Sequence, residues 1–338
     1  MATLAASGAA IEAMGLSPAI ASKPKASKIK FGVQLNAFPI DPKRFDTFLA
    51  ALGQVKQLGY QGFESGFANI QEQFTSPAEA RKKIEDTGLT FFGVHIFLAT
   101  PRYDPKTFIA PAALYEPIAQ GGKSLGAKHL ILSGAPPSTP EELQQKINGL
   151  NAAGRYARGI GLNLAYHNEY ESATSAEELE ELYSRTDSKL VSFLLDAGHA
   201  YRSGMNVQNF IRAHSKRIVG IHLRDYKADG HLVSLGQGTF PLQAVADTLK
   251  QIDWIGWVEN EEEREDHSHP SHHHPRVAHR HVRLREALRL LHQHADAVRD
   301  HAGDGPRRRR RDRRHRERPA VHRRQGDDPD GSVARRHA

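Results

Sequence analysis

The sequence predicts an α/β protein that folds as a closed (β/α)8 TIM barrel and carries an atypical C-terminal tail. From residue 29, short apolar runs rich in β-branched and aromatic residues alternate with longer segments whose apolar residues recur three and four positions apart. The first pattern is typical of buried strands and the second of amphipathic helices. Eight such units in about 230 residues fit a closed parallel barrel. The turn after the first predicted strand, Asn36-Ala37-Phe38-Pro39, lacks glycine, which disfavours the alternative of a doubly wound open sheet with a dinucleotide-binding turn.

The predicted strands and helices alternate along the chain in an order that parallel strands require. Helices of this length supply the crossovers between neighbouring parallel strands. Pro140 after Thr139 is typical of a helix start, and Gly88 and Gly126 follow predicted helix ends. The strands are predicted at 30–36, 62–65, 90–97, 129–133, 163–167, 191–196, 218–223 and 256–261, and the helices at 42–58, 76–87, 111–125, 139–159, 175–185, 206–214 and 241–251.

Residues 1–28 form a leader and linker ahead of the predicted barrel at 29–266. The first 21 residues contain no Lys or Arg and end in Ala19-Ile20-Ala21, a pattern similar to a secretory cleavage site. The positively charged region of a secretory signal is missing, and Glu12 interrupts the apolar run. One hypothesis is therefore that Met1 lies inside a longer export signal of the twin-arginine type. The other is a disordered alanine-rich leader. We expect export, to the periplasm for example, with the cytoplasm as the alternative, and no membrane span, because no window holds 18 continuous apolar residues.

Residues 267–338 differ sharply in composition from the rest of the chain. They hold 13 of the 20 histidines and no Lys, Phe, Tyr or Trp. Their 19 Arg and 9 acidic residues give a net charge of +10, whereas 27 basic and 30 acidic residues give residues 1–266 a net charge of −3. The high isoelectric point therefore does not indicate a nucleic-acid partner for the barrel.

Two interpretations of this tail remain open. A GC-rich gene read out of frame yields Arg, His, Pro, Ala, Gly and Asp, so a frameshift product is the favoured hypothesis. The other is a genuine basic tail for nucleic acid or an anionic surface. Segment 277–298 keeps a helical spacing of apolar residues, and from Gly303 onward we expect disorder because the low-complexity sequence cannot form a core.

Polar residues cluster where the predicted strands end, which is where parallel barrels carry their active sites. One such residue is usually a hydrogen-bonded rim residue, but strands five to eight all end in potential metal ligands. Carboxylates and imidazoles suit Mn²⁺, Co²⁺, Zn²⁺ or Mg²⁺. The absence of cysteine excludes thiolate zinc sites, cysteine nucleophiles and disulfides. The strand-end residues are Gln34, Asn36, Glu64, His95, His167, Asn168, Glu169, Asp196, His199, His222, Arg224, Asp225, Glu259 and Glu261.

The order and spacing of several short motifs resemble the xylose isomerase-like TIM barrels, also called the sugar phosphate isomerase/epimerase family. The resemblance covers about residues 29–263. Each motif is weak by itself, and together they are specific for the superfamily but not for a substrate. The motifs are 62–64 (GFE), 165–171 (AYHNEYE), 195–199 (LDAGH), 221–226 (IHLRDY), 235–238 (LGQG) and 256–261 (GWVENE).

The resemblance implies one divalent metal ion held by side chains from strands five to eight. Carried over by position, the ligands are His167, Asp196, His222 and Glu261. Many family members have Glu at the position of His167, so Glu169 is an alternative ligand, as Glu259 is for Glu261.

The resemblance also implies an isomerase or epimerase that acts on a sugar or sugar-like polyol. Such an enzyme removes a proton next to a carbonyl group while the metal stabilises the enediolate. Glu169 and Glu261 are then the candidate catalytic bases. Glu64, His95, His199 and Arg224 are candidates for substrate binding.

Three other functions compete with this prediction. A metal-dependent lyase or dehydratase acting on a keto-sugar shares the first step. A DNA-repair endonuclease of the same superfamily needs several zinc ions and a basic face, whereas residues 1–266 hold seven histidines and are net acidic. A non-enzymatic, basic-tailed binding protein would need residues 267–338. A small-molecule sugar substrate is the expected partner, and homo-oligomerisation is left open.

Overall fold

Eight parallel strands close into a barrel in the computed structural model, which describes residues 28–169 and 176–261. Around the barrel the strand order is β1-β10-β7-β6-β5-β4-β3-β2, and β1 pairs with both β2 and β10. The predicted TIM barrel is therefore confirmed. The barrel strands are β1 (Ile29–Gln34), β2 (Gly62–Gly66), β3 (Thr90–Ile96), β4 (His129–Leu132), β5 (Asn163–His167), β6 (Val191–Asp196), β7 (Ile218–Leu223) and β10 (Gly256–Asn260).

The helices follow the strands as predicted, with bounds within three residues of the prediction. Helix α4 shows why the local sequence was enough to predict where a helix begins. Pro140 is its first residue, and the Thr139 side chain accepts a hydrogen bond from the Glu142 backbone N–H at 3.2 Å. The helices are α1 (Phe45–Gln57), α2 (Pro77–Asp86), α3 (Ala112–Ser124), α4 (Pro140–Gly159), α5 (Ala176–Arg185), α6 (Ala197–Arg202), α7 (Val207–His214) and α8 (Leu242–Gln251).

Two features among the described residues were not predicted. Helix α6 follows β6 without a loop, because the Asp196 side chain caps its first turn. A short antiparallel hairpin of β8 (Asp225–Tyr226) and β9 (Leu232–Val233) follows β7. Single 3₁₀ turns also lie at Leu35–Ala37, Phe67–Asn69, Gln71–Thr75 and Thr100–Arg102.

The barrel interior contains an apolar layer beneath a polar one. The apolar cluster comprises Phe92, Ile131, Ala165, Leu194 and Trp257. Each of these residues lies two or three positions before a buried polar residue that is on the same strand or directly follows it. The apolar layer therefore fills the N-terminal end of the barrel and the polar layer the C-terminal end. Trp257 thus contributes to the packing of the barrel interior.

A buried ion pair joins α4 to α5 outside the barrel. Lys146 is fully buried and donates to Glu178 Oε1 at 2.7 Å and to the Ala135 carbonyl at 2.8 Å. Burial lowers the pKa of Lys146 and raises that of Glu178, in each case against the attraction of the partner. Desolvation thus offsets much of the attraction between the two side chains.

The predicted leader up to residue 27, the predicted helix at 277–298 and the rest of the predicted tail lie outside the described residues. The chain divides into two units after residue 293, and every described residue belongs to the first. No helix in the described part of the chain combines the length and apolar character needed to cross a membrane.

Candidate metal centre

Four side chains converge at the C-terminal end of the barrel, one from the end of each of four consecutive strands. They are His167 of β5, Asp196 of β6, His222 of β7 and Glu261, the residue that follows β10. One ligand atom from each lies within 4.8 Å of the others, and all four side chains are buried. The structure thus brings together the four residues that the family resemblance implied as ligands.

The distances within this cluster identify the atoms that face one another. Nε2 of His167 lies 3.0 Å from Nδ1 of His222, and that Nδ1 lies 2.5 Å from Oε2 of Glu261. Oε2 of Glu261 and Oδ2 of Asp196 lie 3.5 and 3.8 Å from His167 Nε2. Two imidazole nitrogens and two carboxylate oxygens therefore point at one small space.

Asp196 is held in place by its backbone and by one of its carboxylate oxygens. Asn168 exchanges two hydrogen bonds with the Asp196 backbone, donating to its carbonyl at 3.0 Å and accepting from its N–H at 2.9 Å. Oδ1 of Asp196 accepts from the His199 N–H at 2.7 Å and caps α6. Since one oxygen is used in this cap, Oδ2 is directed into the cluster.

The cluster's donor set fits a divalent metal ion. Asp196 Oδ2 and Glu261 Oε2 are buried, and each forms an ion pair with an Arg224 nitrogen at 2.8 Å or less. Lone pairs on these oxygens, with two imidazole nitrogens, make an N₂O₂ set of the kind that binds Zn²⁺, Mn²⁺ or Co²⁺. These residues can therefore hold such an ion without rearranging the strands.

Arg224 lies beside the two anionic ligands rather than at the barrel mouth. Its Nε lies 2.8 Å from Asp196 Oδ2 and one terminal nitrogen lies 2.6 Å from Glu261 Oε2. Only 3% of its surface is exposed. A side chain at Gly198 would place its Cβ 2.3 Å from Arg224 Cγ, so the glycine of the 195–199 motif makes room for the arginine. The contacts favour a role in neutralising the ligands over the predicted role in substrate binding.

Glu169 contacts a ligand of the cluster from the outer side. Its Oε1 lies 2.9 Å from His167 Nδ1 and accepts a hydrogen bond from Ser133 Oγ at 2.8 Å. A carboxylate on the second nitrogen of a metal-binding histidine fixes the ring and makes it a better ligand. Between His167 and Glu169 the geometry therefore favours His167 as the ligand and Glu169 as its support.

Glu64 supports His222 in the same way. Its Oε2 lies 2.9 Å from His222 Nε2 and its Oε1 lies 2.9 Å from His95 Nδ1, while His95 Nε2 lies 3.0 Å from Ser133 Oγ. Glu64 is fully buried and His95 is 3% exposed. Both were predicted to bind substrate, whereas their contacts place them in a hydrogen-bond network behind the ligands.

Charge pairing governs the protonation of the cluster. Burial by itself would lower the pKa of His167, but Glu169 and Glu261 raise it to about 10. Burial would likewise raise the pKa of Glu169, but His167 and His199 hold it at about 2. Burial opposes the ionisation of Glu261 too, yet Arg224 and His222 hold its pKa well below its usual range. Without a metal the cluster therefore holds imidazolium and carboxylate groups at neutral pH.

Glu259 lies one layer below Glu261 on the same face of β10. Its side chain is fully buried, and neither oxygen has a hydrogen-bond partner among the described residues. Burial and the neighbouring Glu64 raise its pKa well above the usual range. The sequence left Glu259 open as an alternative ligand, and the structure places Glu261, not Glu259, with His167 and Asp196.

His199 lies at the outer edge of the cluster on α6. Its Nε2 lies 3.5 Å from Asp196 Oδ2 and 3.7 Å from Glu169 Oε2, and its Nδ1 lies 3.2 Å from the Tyr226 hydroxyl. Burial lowers its pKa, so it is neutral at neutral pH and can accept or donate a hydrogen bond. This position is consistent with the predicted contact to substrate oxygens.

Asp225 organises the loop that leads to α8. Its Oδ1 accepts from the Tyr226 and Phe240 backbone N–H groups, and its Oδ2 accepts from those of Gly236 and Gly238, all at 2.8 to 2.9 Å. These amides bind the chain's own carboxylate. The glycine-containing segment 236–238 is therefore held as a tight loop by Asp225.

Sequence reasoning missed Ser133 and the pairing of Asn168 with Asp196. Ser133 follows β4 and lies two residues after Ile131, whose side chain faces the barrel interior. Strand alternation therefore places Ser133 on the inner face, and this was the available clue. The Asn168 contact depends on the register between β5 and β6, which the sequence does not contain.

The fold and the site together define a class of protein. It is a TIM barrel in which buried histidine and carboxylate side chains, able to bind a metal ion, cluster at the C-terminal ends of the strands. The sequence profile of the xylose isomerase-like TIM barrels matches residues 52–294. The chain belongs to this family. The match extends beyond residue 266, where the composition changes, and includes part of the segment predicted as tail.

Curated relatives with similar sequences are inosose dehydratases. One from Bacillus licheniformis is 31% identical over 146 residues, which cover 38% of this chain and 49% of that protein. One from Clostridium tetani is 25% identical over 272 residues, which cover 70% of this chain and 91% of that protein. This chain thus spans about half the length of the first relative and nine-tenths of the second.

Solved structures with the same fold include enzymes named for sugar chemistry. L-ribulose 3-epimerase superposes with a TM-score of 0.66 at 15% identity, covering 83% of this chain and all of that chain. The IOLI protein with a bound zinc atom superposes with a TM-score of 0.61 at 16% identity, covering 78% of this chain and 97% of that one. At these identities the similarity shows a common fold.

Proposed function

We propose that this chain is a divalent-metal-dependent enzyme that removes a proton from a carbon next to a carbonyl group in a sugar or sugar-like polyol. The observation that carries the proposal is the buried cluster of His167, Asp196, His222 and Glu261 at the active-site end of a xylose isomerase-like barrel. The similarly folded IOLI protein is described with a bound zinc atom, which supports a metal ion in this chain.

His167, Asp196, His222 and Glu261 would hold the ion, with Arg224 offsetting the charge of the two carboxylates. A bound divalent ion polarises a carbonyl group and makes the neighbouring C–H more acidic. Glu64 and Glu169 fix the two histidine rings through their second nitrogens. The ligands are thereby preorganised, so little reorganisation is needed when substrate binds.

Glu169 is the best-placed group to accept the proton. Its side chain is 13% exposed, compared with 5% for Glu261 and 0% for Asp196 and Glu64. Its Oε1 is used by His167 and Ser133, while its Oε2 faces His199 at 3.7 Å. A carboxylate whose second oxygen is not used by His167 or Ser133 can take a proton from substrate.

Two outcomes can follow this shared first step. Return of the proton to another carbon or to the opposite face gives isomerisation or epimerisation, as in the names of several structural neighbours. Loss of a hydroxyl group from the next carbon gives dehydration. The names of the curated relatives favour dehydration of an inosose, a ketone derived from an inositol, as a second candidate of equal standing.

One experiment measures two things separately: removal of the proton next to the carbonyl group, which both reactions share, and the product that follows. The full chain is stripped with a chelator, reloaded with Mn²⁺, Co²⁺, Zn²⁺ or Mg²⁺, and incubated in D₂O with a ketohexose, a 3-keto-glucoside or an inosose. We expect metal-dependent incorporation of deuterium next to the carbonyl group, measured by NMR. A new epimer or aldose then indicates isomerase activity, and an ultraviolet-absorbing enone indicates dehydration. The proposal fails if no substrate exchanges deuterium with any metal, or if the chelator leaves activity unchanged.

A further inference from the structure

The buried carboxyl group of Glu259 needs an explanation that the proposed reaction does not supply. It is fully buried inside the barrel, and neither oxygen has a hydrogen-bond partner among the described residues. Burying a carboxylate without a partner is energetically unfavourable, so such groups are normally paired, protonated or bound to a cation. Nothing in the first cluster requires a second carboxylate at this depth, because Glu261 already supplies the ligand from β10.

The space beside Glu259 is bounded by a second carboxylate and an imidazole. Glu259 pairs in register with Gly32 of β1 on one side and with His222 of β7 on the other. Gly32 also pairs with Gly62 of β2, two residues before Glu64. A Cβ on Gly32 would lie 3.0 Å from Glu259 Cγ, so this glycine gives the Glu259 side chain its room.

Glu64, His222 and Glu259 meet the distance requirement for a metal site. One ligand atom from each lies within 4.8 Å of the other two, and all three side chains are buried. The two ring nitrogens of His222 face different neighbours: Nδ1 faces Glu261 in the first cluster, and Nε2 faces Glu64 at 2.9 Å. His222 thus stands between two groups of ligand atoms.

We propose that Glu64, Glu259 and Nε2 of His222 form a second divalent-cation site inside the barrel, one layer below the first cluster. Two carboxylates this close repel each other unless one of them is protonated or a cation lies between them, and with both ionised their combined charge matches a divalent ion. Two oxygen ligands and one nitrogen suit Mn²⁺. With both sites filled, His222 would act as a ligand through both ring nitrogens, having given up both ring protons to solvent.

Anomalous scattering on crystals of the full chain grown with MnCl₂ tests the proposal directly. We expect two peaks, one within the cluster of His167, Asp196, His222 and Glu261 and one between Glu64 and Glu259. A peak at the first cluster alone overturns the second site and leaves the proposed function intact. The absence of both peaks contradicts the metal dependence of the proposed function as well.

A matched pair of variants provides the solution test. After stripping, reloading with Mn²⁺ and dialysis, Glu259→Gln should retain one Mn²⁺ fewer per chain than wild type by elemental analysis. The control, Glu72→Gln, changes an exposed glutamate and should retain the wild-type amount. The histidine-rich segment 267–338 is present in all three proteins, so metal bound there cancels in the difference.

Equal Mn²⁺ content in wild type and Glu259→Gln would show that Glu259 is neutralised by a proton and would overturn the site. The amide has the size of the carboxyl group and no charge, so the variant should fold, which circular dichroism checks. If it does not fold, the anomalous map of the wild type decides the question by itself.

Discussion

Asp196 offers a clean test of the first metal cluster because its two carboxylate oxygens have separate tasks. Oδ1 caps α6 and Oδ2 points into the cluster. In Asp196→Asn the amide oxygen can still cap the helix, since Asn is as good a capping residue as Asp. We expect the variant to fold and to bind Co²⁺ at the cluster at least about 100-fold more weakly, because even outer-shell changes cost 10- to 100-fold.

The measurement for Asp196→Asn is a Co²⁺ titration followed by visible absorption, together with thermal unfolding with and without the ion. Asp229→Asn, an exposed aspartate in the β8–β9 hairpin, serves as control and should behave as wild type. Unchanged affinity in Asp196→Asn would remove this residue from the ligand set.

Glu169 has two separable roles, orientation of His167 and acceptance of the substrate proton. Glu169→Gln keeps an oxygen for the His167 Nδ1–H but loses the charge. We expect a drop in metal affinity of about 10-fold and, at saturating metal, a drop in kcat of about 100-fold or more with little change in KM. Ser133→Ala, which removes only the hydrogen bond to Glu169 Oε1, should reduce kcat much less. Full recovery of kcat with excess metal would restrict Glu169 to orientation.

Metal uptake at the first cluster should release protons. In the metal-free protein Glu169 and Glu261, acting against burial, raise the pKa of His167 to about 10, and the pKa of His222 is also raised. A metal binds only neutral imidazole, so it must displace these protons. Because the folded-state pKa values lie above the usual value near 6.5, the pairing stabilises the metal-free protein below that pH and is lost as the pH rises towards 10.

Metal affinity should therefore rise steadily between pH 6.5 and 9, while the metal-free protein loses stability over the same range. Calorimetric titration with Mn²⁺ in two buffers of different ionisation enthalpy measures the protons released at pH 7. We expect between one and about two per ion at this cluster. An affinity that does not change with pH in this window would contradict the protonated state of the histidines.

At the scale of elements, Asp225 holds the loop between β7 and α8 through four backbone N–H groups. Asp225→Asn keeps one acceptor oxygen and turns an amide group towards two of these donors. Since hydrogen bonds to a charged acceptor contribute about 1.5–3 kcal/mol each, we expect the free energy of unfolding to fall by about 3 kcal/mol or more. Urea denaturation measures this, and Asp229→Asn should remain within about 0.5 kcal/mol of wild type.

Strand and helix positions were predictable because each element carries a local pattern. Two examples are the apolar run of 191–196, which forms β6, and the Thr139-Pro140 start of α4. Both signals lie in the local sequence and can be recognised without knowing the tertiary contacts. The alternation of strand-type and helix-type segments along the sequence also predicted that His167, Asp196 and His222 lie at strand ends. What could not be predicted depends on closure of the barrel: that Ser133 reaches Glu169 across β4 and β5, and that Glu64 and His95 support ligands instead of facing substrate.

At the scale of the whole molecule, the family match includes residues 267–294, although their composition differs from that of the barrel. Strands β1 and β10 are neighbours in the closed barrel, and in this fold each strand's outer face is covered by the helix that follows it. A chain ending at residue 266 lacks the segment 277–298, whose apolar spacing predicts that covering helix. We expect this chain to unfold at a temperature at least about 5 °C below that of the full chain.

A chain ending at residue 294 should instead keep the unfolding temperature, the metal affinity at the cluster and the deuterium exchange of the full chain. Apart from 295–298, the last four residues of the predicted helix, the residues it lacks are the arginine-rich ones, which have no apolar pattern with which to pack on the barrel. The comparison of the two truncations also decides between the enzyme and the basic-tailed binding protein. If removal of 295–338 abolishes function while the cluster still binds metal, the tail carries the activity; if both properties survive, the barrel does.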